Sequence, residues 1–170
     1  MRKGTHVAIV VAVLVVLGGA VVALAQANRS DATVVDGSVA ITRGGSTLTT
    51  LDMKLVRALP SVSEKKTIQS SGHADETAVF TGVPLRVLLD AVEPGLLDGA
   101  TMVVIRASDG YVSSLAAEEA TADGVLLVYA KDGESLGTAA DGGTGPFRII
   151  ILTDTYGNRC TKWVNEIEIR

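Results

Sequence analysis

Few residues in this chain have the type and placement to do chemistry. In "TIQSSGH" a strand-forming pair, Thr67-Ile68, runs into two serines, a glycine and a histidine, so Ser70 and His73 stand where a side chain can reach into a cleft. His73 could titrate or hold a metal, but metal sites of this kind need clustered ligands. The other histidine, His6, precedes the apolar N-terminal segment, and Cys160 is the lone cysteine, so neither supplies a neighbouring ligand pair. Ser113 and Ser114 have no base in reach of argument, and no Ser-His-Asp arrangement can be assembled. The loop "GTAADGGTGP", residues 137–146, has glycines enough to let backbone N–H groups approach an anion, yet it lacks the G-x-x-x-x-G-K-S/T phosphate-loop pattern and reads as a flexible connection.

The elements that must position these residues are mainly strands. "TVVDGSVAI" reads as two short strands around Asp36-Gly37, and "TTLDMKLVRALP" as a short helix capped by Thr49, with Leu51, Leu55 and Leu59 on one face and Pro60 as its stop. Strands are expected over 66–70 and 77–81. "GVPLRVLLDAV" is a second helix with Pro84 in its first turn and Leu85, Leu88, Leu89 and Val92 buried. Asp109-Gly110 bends a hairpin within "TMVVIRASDGYVSSL", and "GVLLVYAKDGESL" pairs a buried strand with another Asp-Gly turn. "FRIIIL" reads as an apolar strand and "RCTKWVNEIEI" as the last one. In that strand alternation puts Trp163, Ile167 and Ile169 on one face and Cys160, Lys162, Glu166 and Glu168 on the other. The mixture predicts an α+β domain, β-rich and mixed, preceded by one N-terminal hydrophobic helix.

Composition narrows the class. Residues 7–27, "VAIVVAVLVVLGGAVVALAQA", carry no charge and follow Arg2 and Lys3, which reads as a transmembrane anchor or a secretory leader with an A-x-A cleavage site. Either reading sends the rest of the chain outside the cytoplasm. Of 170 residues, the part after 27 holds all 19 acidic residues and 13 of the 15 basic ones, a net charge of −6. That balance excludes a nucleic-acid partner, which needs a basic face. One cysteine excludes an internal disulfide. The chain divides into an N-terminal signal or anchor (1–27), a tether with a hairpin (28–46) and one domain (47–170).

"TGVPLRVLLDAV", "ASDGYVSSL", "LLVYAKDGESL", "GPFRIIIL" and "CTKWVNEIEI" follow one another in the order, and roughly the spacing, of the molybdopterin-binding domain of the sulfite oxidase family, which the chain resembles from about Thr47 to Arg170. The resemblance implies that family's fold. It also implies that the position of the family's metal-ligating cysteine falls on Ser70, and that a histidine common before the Pro-x-Arg step is missing from "GGTGPFR". Arg148 matches a family arginine that can pair with a phosphate through two parallel hydrogen bonds, while the residues by themselves read as a surface arginine starting a buried strand. Lys162 matches a position near the cofactor, and Asp109-Gly110-Tyr111 a stretch along one edge of the pocket. The candidate ligand-binding set is thus Ser70, His73, Tyr111, Arg148 and Lys162. Because an alcohol replaces a thiolate, the expectation is a non-catalytic module for a small anionic ligand or a membrane-associated protein partner, without bound molybdopterin. The alternatives are a molybdopterin-dependent oxidoreductase that uses Ser70 as ligand, and a structural protein without ligand.

Overall fold

A computed structural model describes residues 37–70, 72 and 74–170. The apolar segment 7–27, the first half of the expected 33–41 hairpin, Ser71 and His73 lie outside the described residues. Among the described residues no helix is long and apolar enough to cross a membrane.

Among the described residues ten strands form two sheets, with few and short helices between them. In the first sheet the order is β2 (Ser46–Asp52), β1 (Ser38–Arg43), β10 (Val164–Ile169), β5 (Met102–Ala107) and β6 (Val112–Ala116). In the second, β3 (Val62–Ile68), β4 (Glu76–Pro84), β7 (Val125–Lys131) and β8 (Glu134–Ser135) follow in order, and β9 (Arg148–Ile151) also pairs with β7. The helices are α1 (Met53–Arg57), α2 (Leu85–Val92) and α3 (Ala117–Ala120), with a 3-10 turn at Gly157–Arg159. β1 lies between β2 and β10, so the domain begins before the expected boundary at Thr47.

Alternation along the strands makes two apolar clusters. Val39, Ile41, Val103, Ile105, Ile167 and Ile169 of the first sheet meet Leu127, Ile149 and Ile151 of the second, with Leu85, Leu88 and Leu89 of α2 filling the main core. On the other face of the second sheet, Ile68, Ala78, Phe80, Leu126, Val128, Ile150 and Cys160 form a smaller cluster. α2 buries the expected stripe apart from Val92, which is only partly buried. Both Asp-Gly hairpins form where expected, joining β5 to β6 and β7 to β8.

Three expectations are corrected. Thr49 does not cap a helix: it lies in β2 opposite Ile41, and Asp52 caps the shorter α1 by accepting a hydrogen bond from Leu55 N at 2.8 Å. β1 needs a partner on this side, so the chain stays extended to Asp52, and Val56 rather than Leu55 becomes the buried residue of α1. The loop at 137–146 is folded tightly on itself. Thr144 N donates to Leu136 O and Gly145 N to Gly137 O, and a Cβ on Gly143 would lie 2.3 Å from Leu136 O. Finally, Trp163 does not share a buried face with Ile167 and Ile169. It sits half-buried at φ +52 before β10, the register slips between Val164 and Glu166, and Val164 takes the core position.

Candidate functional site

The end of β3 is tied to a distant segment. Gln69 N donates to Thr155 O at 3.0 Å, and Gly157 N donates to Gln69 O at 3.2 Å, a parallel bridge that sets Ser70 beside residues 155–157. The approach requires glycine at 157, since a Cβ there would lie 2.8 Å from Ile68 Cγ2. Ser70 itself is exposed.

Beyond Gly157 the chain makes its 3-10 turn and enters a cavity of about 280 Å³, lined among others by Asp109, Tyr111, Gly157, Cys160, Lys162 and Trp163. Asp109 Oδ1 accepts from Tyr111 N at 2.9 Å and fixes the hairpin, while the Tyr111 hydroxyl donates to Asn158 O. Trp163 is held on three sides: Nε1 donates to Gly143 O at 2.9 Å, its N–H to Thr144 O, and its carbonyl accepts from Ser108 N. Its ring is a cavity wall, and the Lys162 ammonium stands 6.0 Å from the ring centroid. The cavity thus joins two aromatic rings, one ammonium and one carboxylate.

Cys160 closes this corner from inside. It is 5% exposed and packs in the smaller cluster with Ile68 and Ile150. Burial pushes its thiol above the ordinary range, against a backbone hydrogen bond at Ile151 and the charges of Arg148 and Lys66.

Arg148 is placed differently from the other candidates. It does not line the cavity but is buried at 3% exposure on the face of β9 that carries the smaller cluster, with its guanidinium 5.6 Å from the Phe80 ring. Nη1 donates to Glu76 Oε2 at 2.9 Å, Lys131 Nζ donates to Glu76 Oε1 at 2.9 Å, and among the described residues Nε has no partner. Burial by itself raises the Glu76 carboxyl, but hydrogen bonds from Lys131 and Arg148, with their charges, outweigh it and hold the group below its ordinary value. Glu76 pairs with Ile68 in register, so this ion network sits at the base of the loop that carries Ser70.

The structure therefore brings Tyr111 and Lys162 to one cavity, sets Ser70 beside the segment that enters it, and turns Arg148 to Glu76 instead. His73 lies outside the described residues. Sequence reasoning missed Glu76, whose partners are 55 and 72 residues away, and the role of Trp163 as a wall. No local pattern marks either one. Among the described residues no group of three or more His, Cys, Asp or Glu side chains could hold a metal ion.

Comparison with known proteins follows the same lines. No curated protein sequence matches the chain. Among solved structures it is similar to the sulfane dehydrogenase SoxCD from Paracoccus pantotrophus, with a TM-score of 0.65 and 20% identity. That alignment covers 83% of this chain and 40% of the other, so the chain spans less than half of that protein, and at this identity the likeness is one of fold. The sequence profile described as oxidoreductase molybdopterin binding domain matches residues 38–170, from the first strand to the last residue. By that match, the chain belongs to the oxidoreductase molybdopterin binding domain family.

Proposed function

We propose that this domain keeps its family's molybdopterin-binding scaffold without a redox centre, and acts outside the cytoplasm as a module that holds a small anionic ligand or a membrane-associated protein partner. One observation carries this reading: the corner where the family resemblance expects a metal-binding thiolate presents the exposed Ser70 hydroxyl. A thiol is largely ionised once a metal or cation is near and donates electron density well, whereas an alcohol is far less acidic. The lone cysteine does not stand in for it, because burial raises the Cys160 thiol within a mainly apolar cluster.

The residues present do not fit a thiolate-ligated molybdenum centre, and no redox step is assigned to the chain. What they do fit is recognition. Tyr111 and Trp163 offer aromatic walls, and Lys162 offers an ammonium to an anionic group, within a cavity sized for a small molecule. Location outside the cytoplasm is supported by the uncharged run at 7–27 behind Arg2 and Lys3.

The test is pterin content. The full chain, produced in a host that makes the molybdenum cofactor and then denatured, is expected to release no fluorescent pterin. Release of one pterin per chain contradicts the proposal.

A further inference from the structure

A second cavity, of about 500 Å³, opens between β2, α1 and α2 and shares no lining residue with the one at Tyr111 and Lys162. Its walls include Leu48, Leu51, Leu55, Leu59, Leu88 and Val92; among the described residues no aromatic ring lines it, and its polar side chains are those of Thr49 and Glu93. Leu88 is fully buried, Leu51, Leu59 and Val92 pack partly buried against the main core, and Leu48 and Leu55 are 41% and 51% exposed. The cavity is therefore the open end of that core. Register explains the exposure at Leu48. Ile41 faces Thr49 and Thr42 faces Thr47, so Leu48 is the extra residue of a bulge and reaches the same groove as Thr49. Exposed leucines over a continuation of the core mark an interaction surface.

The lining and the path of the chain select what covers it. Aliphatic walls with no ring and two polar side chains suit a flexible hydrocarbon chain, not a planar or densely hydrogen-bonding ligand. α1 sets Leu55 between the exposed cations Lys54 and Arg57, as in an interfacial segment whose cations stay at headgroup level while the apolar side chain goes deeper. Ser38 pairs with Asp52, the cap of α1, so the chain enters the domain beside this groove. Nine residues, 28–36, lie between the uncharged run at 7–27 and Gly37, and nine extended residues reach at most about 30 Å. We propose that this face docks on the bilayer that holds residues 7–27, with Leu48 and Leu55 inserted and a lipid acyl chain in the cavity. The proposal goes beyond the anionic-ligand reading and shares with it only the placement of residues 7–27. Docking gives a tethered domain a fixed orientation at the membrane surface.

The full chain is reconstituted in phosphatidylcholine vesicles doped with a phosphatidylcholine that carries a diazirine on its acyl chain, then irradiated and mapped by peptide mass spectrometry. Label is expected in residues 48–59 and 88–93 as well as in 7–27. Leu48→Asp/Leu55→Asp changes only exposed side chains, so the domain should keep its Tm, and groove labelling should fall about tenfold while labelling of 7–27 stays. If the double variant melts early, the milder Leu55→Ser carries the same direction of change. Label confined to 7–27, or groove labelling that these variants leave unchanged, overturns the proposal. A groove unlabelled in vesicles but covered in a dimer that Leu48→Asp/Leu55→Asp splits overturns it in favour of a second copy. Groove label without label in 7–27 removes the anchor and keeps the docking face, so the two readings fail separately, and pterin content bears on neither.

Discussion

Oε2 of Glu76 lies 2.9 Å from Nη1 of Arg148, and that guanidinium is 3% exposed. The contact joins the first residue of β4 to the first residue of β9, two points 72 residues apart, under the loop that presents Ser70. It also explains why Arg148 does not turn toward the cavity of Tyr111 and Lys162. Arg148 is thus paired to a carboxylate of its own chain.

Breaking that pair on one side should cost more than removing both partners. Glu76→Ala leaves a buried guanidinium with only an exposed lysine beside it, and we expect a loss of about 2–3 kcal/mol, discounted from buried-pair values because Glu76 is partly exposed. The double variant Glu76→Ala/Arg148→Met should lose less than Glu76→Ala alone. Urea unfolding checks this; a double variant less stable than the single one contradicts it.

Stability should fall in acid through two carboxylates. Lys131 and Arg148 hold Glu76 below its ordinary value against the opposing effect of burial, and a hydrogen bond from Arg170 does the same for Glu168, assisted by Arg106 and opposed by burial. For a group whose folded pKa is depressed, the stabilisation is complete above the unfolded value of 4.5 and is lost as pH drops through the folded value. Thermal melts should therefore be flat between about pH 7 and about pH 5 for these groups and decline below, and Glu76→Gln should flatten the decline. An unchanged acid slope in Glu76→Gln removes Glu76 from this role.

Cys160 should be chemically quiet in the folded chain. Its burial and raised thiol predict labelling by a disulfide reagent at least about 100-fold slower than in the unfolded chain, with a rate that follows local opening. Native labelling at the unfolded rate would mean that the corner near Ser70 is open.

Gly157 should tolerate no side chain. Gly157→Ala sets a Cβ 2.8 Å from Ile68 Cγ2, and overpacking of this kind costs about 1–3 kcal/mol. Because Gly157 N donates to Gln69 O, the same change should raise hydrogen exchange at residues 68–70. Unaltered exchange there would separate the Ser70 corner from the 155–157 segment.

Much of the strand framework was legible because its punctuation is local. Asp132-Gly133 makes a two-residue turn between Lys131 and Glu134, Asp109-Gly110 turns a longer loop between Ala107 and Tyr111, and the spacing of Leu85, Leu88 and Leu89 announces α2. The reading failed where tertiary pairing overrides a local pattern. Thr49 and Asp52 spell a capping signal, but β1 recruits the first of them as a strand partner. Trp163 follows strand alternation in sequence and departs from it in space, because its left-handed backbone and the slip after Val164 reset the parity. The family resemblance singles out Tyr111 and Lys162, and these two line one cavity. Glu76 carries no such mark, and its importance exists only once β4, β7 and β9 are side by side.

The central claim concerns Ser70, and molybdenum itself tests it most directly. The full chain, purified from a cell that supplies the cofactor, should contain far less than one molybdenum atom per chain, and Ser70→Ala should leave that content unchanged. One atom per chain in the unsubstituted protein, with a metal–oxygen bond that disappears on Ser70→Ala in X-ray absorption, would contradict the account.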